Sequence, residues 1–310
     1  MSVCTRLLWL LCRARNDGVI INDHALSARA TQAQVEILGR FFDLIHHDDL
    51  LKRLETPGKR PFCLLTFDDG KRANAVETAK TLTRLGVPGV FYLSTEFISN
   101  GHRPLWFDRR TAICRHLGCV PPGLDSELLK QLPGALRDDR LDRASQQYGV
   151  DADMTDDRVR PMTWDDARDL HKHGHTIGAH SCWHSILTRE SREDAKQDIE
   201  RSIAEVTQQI GKPCTTFGFP NGNYTAELAE HAIQCGVQTV MNTHPTWVRT
   251  DTPFWRLPRV QLDEQQSPNR IVCKLIAAAS GFLLEGPDGT GRLYWSINRR
   301  ARRLRAPGRR

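Results

Sequence analysis

A chain of 310 residues with 39% hydrophobic and 26% charged residues, 22 Gly and 16 Pro, has ordinary globular composition. This excludes the collagen-like, low-complexity and disordered classes. No run approaches the 18 or more apolar residues of a membrane span, and the longest, 7–12 and 275–284, are too short.

Charge is unevenly placed. The total is +6, but segment 292–310 holds eight Arg and no acid, so the rest of the chain stands at −2. A nucleic-acid binder needs basic and aromatic residues across its folded body, so nucleic acid is not an expected partner. The Arg-rich tail reads as a solvated end, with contact to an anionic membrane surface as the alternative. Nine Cys, at scattered positions and with no CxxC pair, argue against a disulfide framework and for a reducing compartment. The apolar stretch 7–12 between arginines lacks the length and cleavage site of a secretory signal, so a cytoplasmic location is expected.

In chain order, 18–23 (GVIIND) reads as a short buried strand and 31–45 as an amphipathic helix. Segment 62–67 (FCLLTF) is a continuous apolar run ending in Asp-Asp-Gly, the pattern of a strand buried on both faces. A helix over 74–85, capped by Gly86, leads to a strand at 89–94. Residues 96–160, rich in Pro and acidic groups, read as a largely helical insertion. Alternation resumes with a helix after Thr163, which sits in a capping box with Asp166. A strand at 175–180, a long helix from Ser191 to Ile210, a strand at 215–219, a helix at 226–235 and a strand at 237–242 follow. Segment 257–260 is a further candidate strand, and 268–279 a helix.

Strand–helix alternation at this pitch calls for a parallel α/β architecture, with chemistry at the C-terminal ends of the strands. Those ends carry Asp68-Asp69-Gly70, His180 to His184, Pro220-Asn221-Gly222, and His244. Each is ordinary alone, since Asp-Asp-Gly and Pro-Asn-Gly are common turns. Together, at positions the fold had already selected, they point to one shared metal site. Two imidazoles and one carboxylate leave a coordination position open for water, as in catalytic zinc sites. Bound water then loses its proton near pH 7 rather than near ~15.7. The same ligand types also suit non-haem iron. Spaced one helical turn apart, His180 and His184 can face one side. Adjacent aspartates suggest divided labour, one on the ion and one on the proton of the attacking water.

The motifs LLTFDDG (64–70), GAHSCWHSIL (178–187) and FGFPNGNY (217–224) resemble, in order and spacing, the polysaccharide deacetylases. These form carbohydrate esterase family 4, with its nodulation-type chitooligosaccharide deacetylase homology domain. The resemblance spans roughly 60–262. It implies a distorted (β/α)7 barrel that hydrolyses the N-acetyl group of an amino-sugar saccharide, whether polysaccharide or lipid-linked glycan. Asp68 then corresponds to the general base, and Asp69, His180 and His184 to the ligands of a divalent metal, usually Zn2+ in this family. Phe219, Pro220, Asn221 and Gly222 correspond to a groove-wall motif, where the Asn221 N–H would help stabilise an oxyanion. Tyr224 and Trp255 are candidates for stacking on sugar.

Three features depart from the family pattern. Gly218 and Phe219 stand where the third motif usually has Arg, as in a bacterial subgroup where the Arg of a later Leu-Pro-Arg segment orients the catalytic Asp. Here Leu257-Pro258-Arg259 fits that role. The late Leu-x-x-His motif that supplies the general acid is missing after residue 260, leaving His244, with His24 behind it, as replacements. That loss also allows a catalytically weak, carbohydrate-binding relative. Thirdly, the 96–160 insertion should shape the groove. The expected organisation is an N-terminal strand and helix (1–60), the barrel (61–262), a C-terminal helix (263–291) and the basic tail (292–310).

Overall fold

The computed structural model describes residues 3–14, 17–101 and 103–280 of the chain. The Arg-rich tail, and the 263–291 segment from 281 on, lie outside the described residues. The strands are β1 (Val19–Asp23), β2 (Asp43–Leu44), β3 (Phe62–Phe67), β4 (Val90–Leu93), β5 (Thr176–Ala179), β6 (Thr216–Gly218), β7 (Thr239–Met241) and β8 (Val260–Gln261). They form one parallel sheet in the order β7-β6-β5-β4-β3-β1-β8, with β2 paired to the start of β3.

The sheet curls into a ring. Leu257 bridges in parallel to Met241, its N–H donating to Val240 O at 2.9 Å and its carbonyl accepting from Asn242 N at 2.9 Å. Three residues later β8 pairs with β1, in the register Ile21 to Val260. One short stretch of chain therefore spans both edges and closes a distorted seven-stranded α/β barrel. The candidate strand at 257–260 is thus split, a single bridge at Leu257 followed by β8.

Side chains alternate across the barrel wall. Ile20, Leu64, Val90, Tyr92, Met241 and Leu257 pack together on one side, while Val19, Ile21, Leu65, Phe67, Phe91, Leu93, Ile177 and Phe217 join the larger cluster beneath the helices. Both faces are buried, which is why the β3 sequence is apolar without interruption.

The helical layer comprises α1 (Val3–Ala14), α2 (Ala28–Gly39), α3 (Leu50–Glu55), α4 (Lys80–Leu85), α5 (Thr95–Asn100), α6 (Trp106–Leu117), α7 (Ser126–Leu129), α8 (Gly134–Tyr148), α9 (Trp164–Lys172), α10 (Arg192–Ile210), α11 (Ala226–Gln234) and α12 (Pro268–Ala279). Helices α9, α10 and α11 start at the side-chain caps Thr163, Ser191 and Thr225, with the Thr163/Asp166 capping box formed. Helix α4 is preceded by a π-helical turn, Asn74–Ala79, and ends at Gly86 with φ 66°.

The 31–45 helix needs correction. Helix α2 starts earlier, at the Ser27 cap, and stops at Gly39. Phe41 and Phe42 stay buried in the turn that follows, and Phe42 meets the edge of Trp247 at a 5.3 Å centroid distance. The apolar stripe therefore outlasts the helix that begins it. Helices α6 to α8 build a small core of their own from Trp106, Ile113, Leu124, Leu129 and Leu141, joined by Ile186 of the loop after β5.

Candidate metal centre

The turn after β3 carries the first two site residues. Asp69 adopts a left-handed backbone (φ 81°), as does Gly70 (φ 81°), so the chain reverses within two residues and sends the neighbouring carboxylates different ways. Asp68 turns to Arg259, which lies between the Leu257 bridge and β8. Nη1 donates to Asp68 Oδ1 at 2.7 Å and Nη2 to Oδ2 at 2.9 Å. The same guanidinium donates to Thr66 Oγ1 at 3.1 Å and from Nε to the Asn242 carbonyl at 3.0 Å. Its carbon lies 5.3 Å from the centre of the Tyr92 ring. Arg259 and Asp68 are both buried, and a fork-to-fork pair is the geometry that suits such burial. Burial alone would raise the Asp68 pKa. The Arg259 charge, His180, the Arg259 hydrogen bonds and His24 outweigh it and take the carboxyl down to about 2.

Asp69 faces the histidines. His184 Nε2 is 3.5 Å from Asp69 Oδ1, and His180 Nε2 is 4.0 Å from the same oxygen and 3.8 Å from Asp68 Oδ2. One donor atom from each of Asp69, His180 and His184 falls within 4.8 Å of the others. All three residues are buried, yet both Asp69 oxygens and His180 Nε2 lack a hydrogen-bond partner. A buried carboxylate with neither hydrogen bond nor counter-ion costs several kcal/mol. Oxygen and imidazole donors converging without partners therefore fit a divalent cation. On Asp69 burial is again opposed, here by His24, His184, Lys71 and His180, and the net shift is downward. Burial lowers both imidazoles, His184 to about 3, with the aspartates only partly compensating, a direction that favours the neutral form a ligand needs.

His180 is oriented through its other nitrogen, where Nδ1–H donates to the Gly218 carbonyl at 2.6 Å. That bond fixes the tautomer and leaves Nε2 as the free lone pair. Gly218 has little room for a side chain, since a Cβ would stand 3.1 Å from Tyr92 and 3.3 Å from His180 Nδ1. The two histidines do not share a helix face. They flank a turn in which Ser181 (φ 60°) and His184 (φ 54°) are both left-handed, and this brings their rings to 5.0 Å. The one-helical-turn expectation is corrected accordingly: the spacing of four is served by a tight turn.

Pro220, Asn221 and Gly222 form a short helical turn at the end of β6, with Asn221 at φ 57°. A Cβ on Gly222 would strike Thr243 at 1.9 Å. Phe219 is fully buried between Phe217 and Tyr224, at centroid distances of 5.0 and 5.9 Å. Its side chain is therefore core, which corrects its reading as a groove contact. Trp255 is partly exposed, its buried part packed against the core, with Arg256 5.9 Å from its ring. Tyr224 is half-buried beside Phe219.

His244 is half-buried after β7, its N–H donating to Asn242 Oδ1 at 2.8 Å. His24, exposed just beyond β1, is among the charges acting on Asp68, Asp69 and Asp108. Three further neighbours carried no motif. Phe107 of α6 meets the His184 ring edge-on at 5.1 Å, Lys71 Nζ lies 4.7 Å from the Phe107 ring, and Lys71 pairs with Asp108 at 2.8 Å. The insertion thus packs directly on a candidate ligand. Only its aromatic residues, scattered through an acid-rich stretch, hinted at this.

A closed parallel barrel with an Asp-His-His donor set at its carboxyl rim is an α/β barrel of the kind whose chemistry sits at the strand ends. The polysaccharide deacetylase family model matches residues 55–240, and the chain belongs to that family. No curated protein matches the chain. Among solved structures it is similar to a Streptococcus pyogenes deacetylase, PplD, solved in complex with acetate (TM-score 0.60, 12% identity, 84% of this chain and 98% of that one). It is also similar to IcaB from Ammonifex degensii (0.57, 14%, 84% and 97%) and to a de-N-acetylase from Aggregatibacter actinomycetemcomitans (0.58, 14%, 83% and 99%). At such identities these likenesses speak for the fold.

Proposed function

We propose that this chain is a divalent-cation-dependent hydrolase that removes N-acetyl groups from an amino-sugar saccharide. The observation that carries the reading is the convergence of buried Asp69, His180 and His184, with both Asp69 oxygens and His180 Nε2 without a hydrogen-bond partner, beside an Asp68 kept ionised by Arg259. Asp69, His180 and His184 would hold the cation, Zn2+ being the family's usual choice, and it supplies Lewis acidity that makes water nucleophilic near neutral pH. Asp68 takes the proton of the attacking water. The Arg259 fork keeps its accepting oxygens from rotating. The Asn221 backbone N–H, in the rim turn after β6, would donate to the oxygen that gains charge as the amide carbon becomes tetrahedral, a contribution of ~3 kcal/mol. His24, exposed just beyond β1 and among the charges acting on both aspartates, would protonate the leaving amine, with His244 as the alternative. Phe107 and the Lys71–Asp108 pair stand beside His184 on the insertion side.

The partner reading extends to an anionic lipid surface. Val3, Leu7 and Leu10 form an outward apolar stripe on α1, flanked by Arg6, Arg13 and Trp9, while Leu8 and Cys12 face inward. Basic and aromatic residues beside an exposed apolar stripe suit the interface of an anionic bilayer, and the tail arginines would add to the attraction.

Cation content and acetate release on a panel of N-acetylated saccharides test the main reading. Acetate release that needs the cation supports it. Glycan affinity with cation bound and no acetate released would instead favour the binding-only relative.

A further inference from the structure

Helices α10 and α11 lie side by side in the helical layer, and their facing edges gather three donors that the deacetylase reading leaves unused. Glu200 comes from α10. His231 lies in the last turn of α11, and Cys235 is its C-terminal cap residue. A spacing of four along a helix places the imidazole and the thiol on one side, and the carboxylate arrives from across the interface. One donor atom from each of the three residues falls within 4.8 Å of the others.

Nε2 of His231 lies 2.9 Å from Glu200 Oε1, within ion-pair distance. Nitrogen, oxygen and sulfur donors gathered this closely from two helices make the kind of mixed donor set that borderline divalent cations take. Cys235, half-buried at the C-terminal cap of α11, supplies the sulfur donor. Beside a divalent ion thiolate, carboxylate and imidazole are each favourable.

We propose that Glu200, His231 and Cys235 form a second metal site, separate from the barrel rim, that takes one thiophilic divalent cation of the zinc type. Three protein donors of N, O and S type leave a fourth tetrahedral position for water. The ion clamps α10 to α11 on the outside of the barrel.

Cobalt distinguishes this site from the rim, because Asp69, His180 and His184 include no sulfur. Metal-free protein titrated with Co2+ should bind two ions per chain and develop a near-ultraviolet thiolate-to-cobalt charge-transfer band, which Zn2+ then displaces. Cys235→Ser and, separately, His231→Gln should abolish the band and reduce the stoichiometry to one, with the circular dichroism spectrum unchanged. The band should survive in His184→Ala, which disturbs only the rim. Absence of the band in the wild-type chain at saturating Co2+, or its persistence in Cys235→Ser, overturns the proposal. Should a variant fold poorly, the wild-type chain still decides: two ions with a thiolate band support the site, and one ion without the band refutes it.

Discussion

Arg259 holds both carboxylate oxygens of Asp68 from within the stretch of chain that closes the barrel. Arg259→Leu should leave a charged, buried Asp68 without its counter-ion and destabilise the protein by about 3–5 kcal/mol in urea unfolding. Replacing Asp68 by Leu as well should recover much of the loss. Arg259→Lys keeps the charge but loses the fork, and acetate release should fall by about 100-fold. Wild-type turnover in Arg259→Lys would deny the guanidinium any positioning role.

Asp68 and His184 should separate proton transfer from cation binding. Asp68→Asn is expected to keep its bound cation while turnover drops by roughly 10²–10⁴. His184→Ala should lose the rim cation too, and elemental analysis of the two purified variants decides. Equal cation loss in both would reverse the assignment of the two aspartates.

His24 and His244 compete for the task of donating a proton to the amine. Substitution of His24 by Asn should lower kcat by roughly 10²-fold or more with little change in KM, and the same change at His244 should have a small effect. The opposite ranking would return the role to His244.

Asp23 ends β1, and its carboxyl is pushed up to about 8. Burial is the main cause, Gln34 and Lys274 offset it in part, and Asp263 and Asp68 add to the rise. An unfolded Asp loses its proton near ~3.9. From there to about 8 the folded protein retains a proton that the unfolded chain releases, so this residue makes stability fall as pH rises through that window. Asp23→Asn should therefore raise Tm relative to wild type above pH 8, with the gain vanishing towards pH 4. A pH-independent difference would mean that packing, not charge, decides at this position.

Helix α1 should carry the chain to lipid. Sedimentation with vesicles rich in phosphatidylglycerol should weaken in Leu7→Glu and Leu10→Glu, and further when 292–310 is deleted. Binding of the wild-type chain to neutral vesicles as strong as to anionic ones would remove the electrostatic part of this reading.

Much of the frame was legible because buried parallel strands write themselves as apolar runs, and the rule that chemistry follows strand ends then selected Asp68, Asp69 and His180 before any motif was weighed. Side-chain caps at Thr163 and Ser191 did the same for helices. Periodicity failed where burial continued without helix, as at Phe41 and Phe42, since a buried turn and a buried helix face look alike in sequence. The His180–His184 spacing suggested a helix because left-handed residues carry no sequence signature unless they are glycine. Phe107 escaped because a contact between an insertion and the rim depends on packing that no local pattern encodes. Phe219 was aromatic within a motif, and only burial could show that it faces the core.

Asp69, Ser181, His184 and Asn221 are the non-glycine residues at positive φ among the described residues, and all four stand in rim turns. Each such backbone costs about 1 kcal/mol or more and persists only because its surroundings enforce it. A selection for heat tolerance imposed on this chain would therefore find some of its easiest gains by relaxing these corners, with glycine at 181 or 221, and would loosen the placement of the donors as it did so. Robustness and aim are set against each other at the same few peptide units.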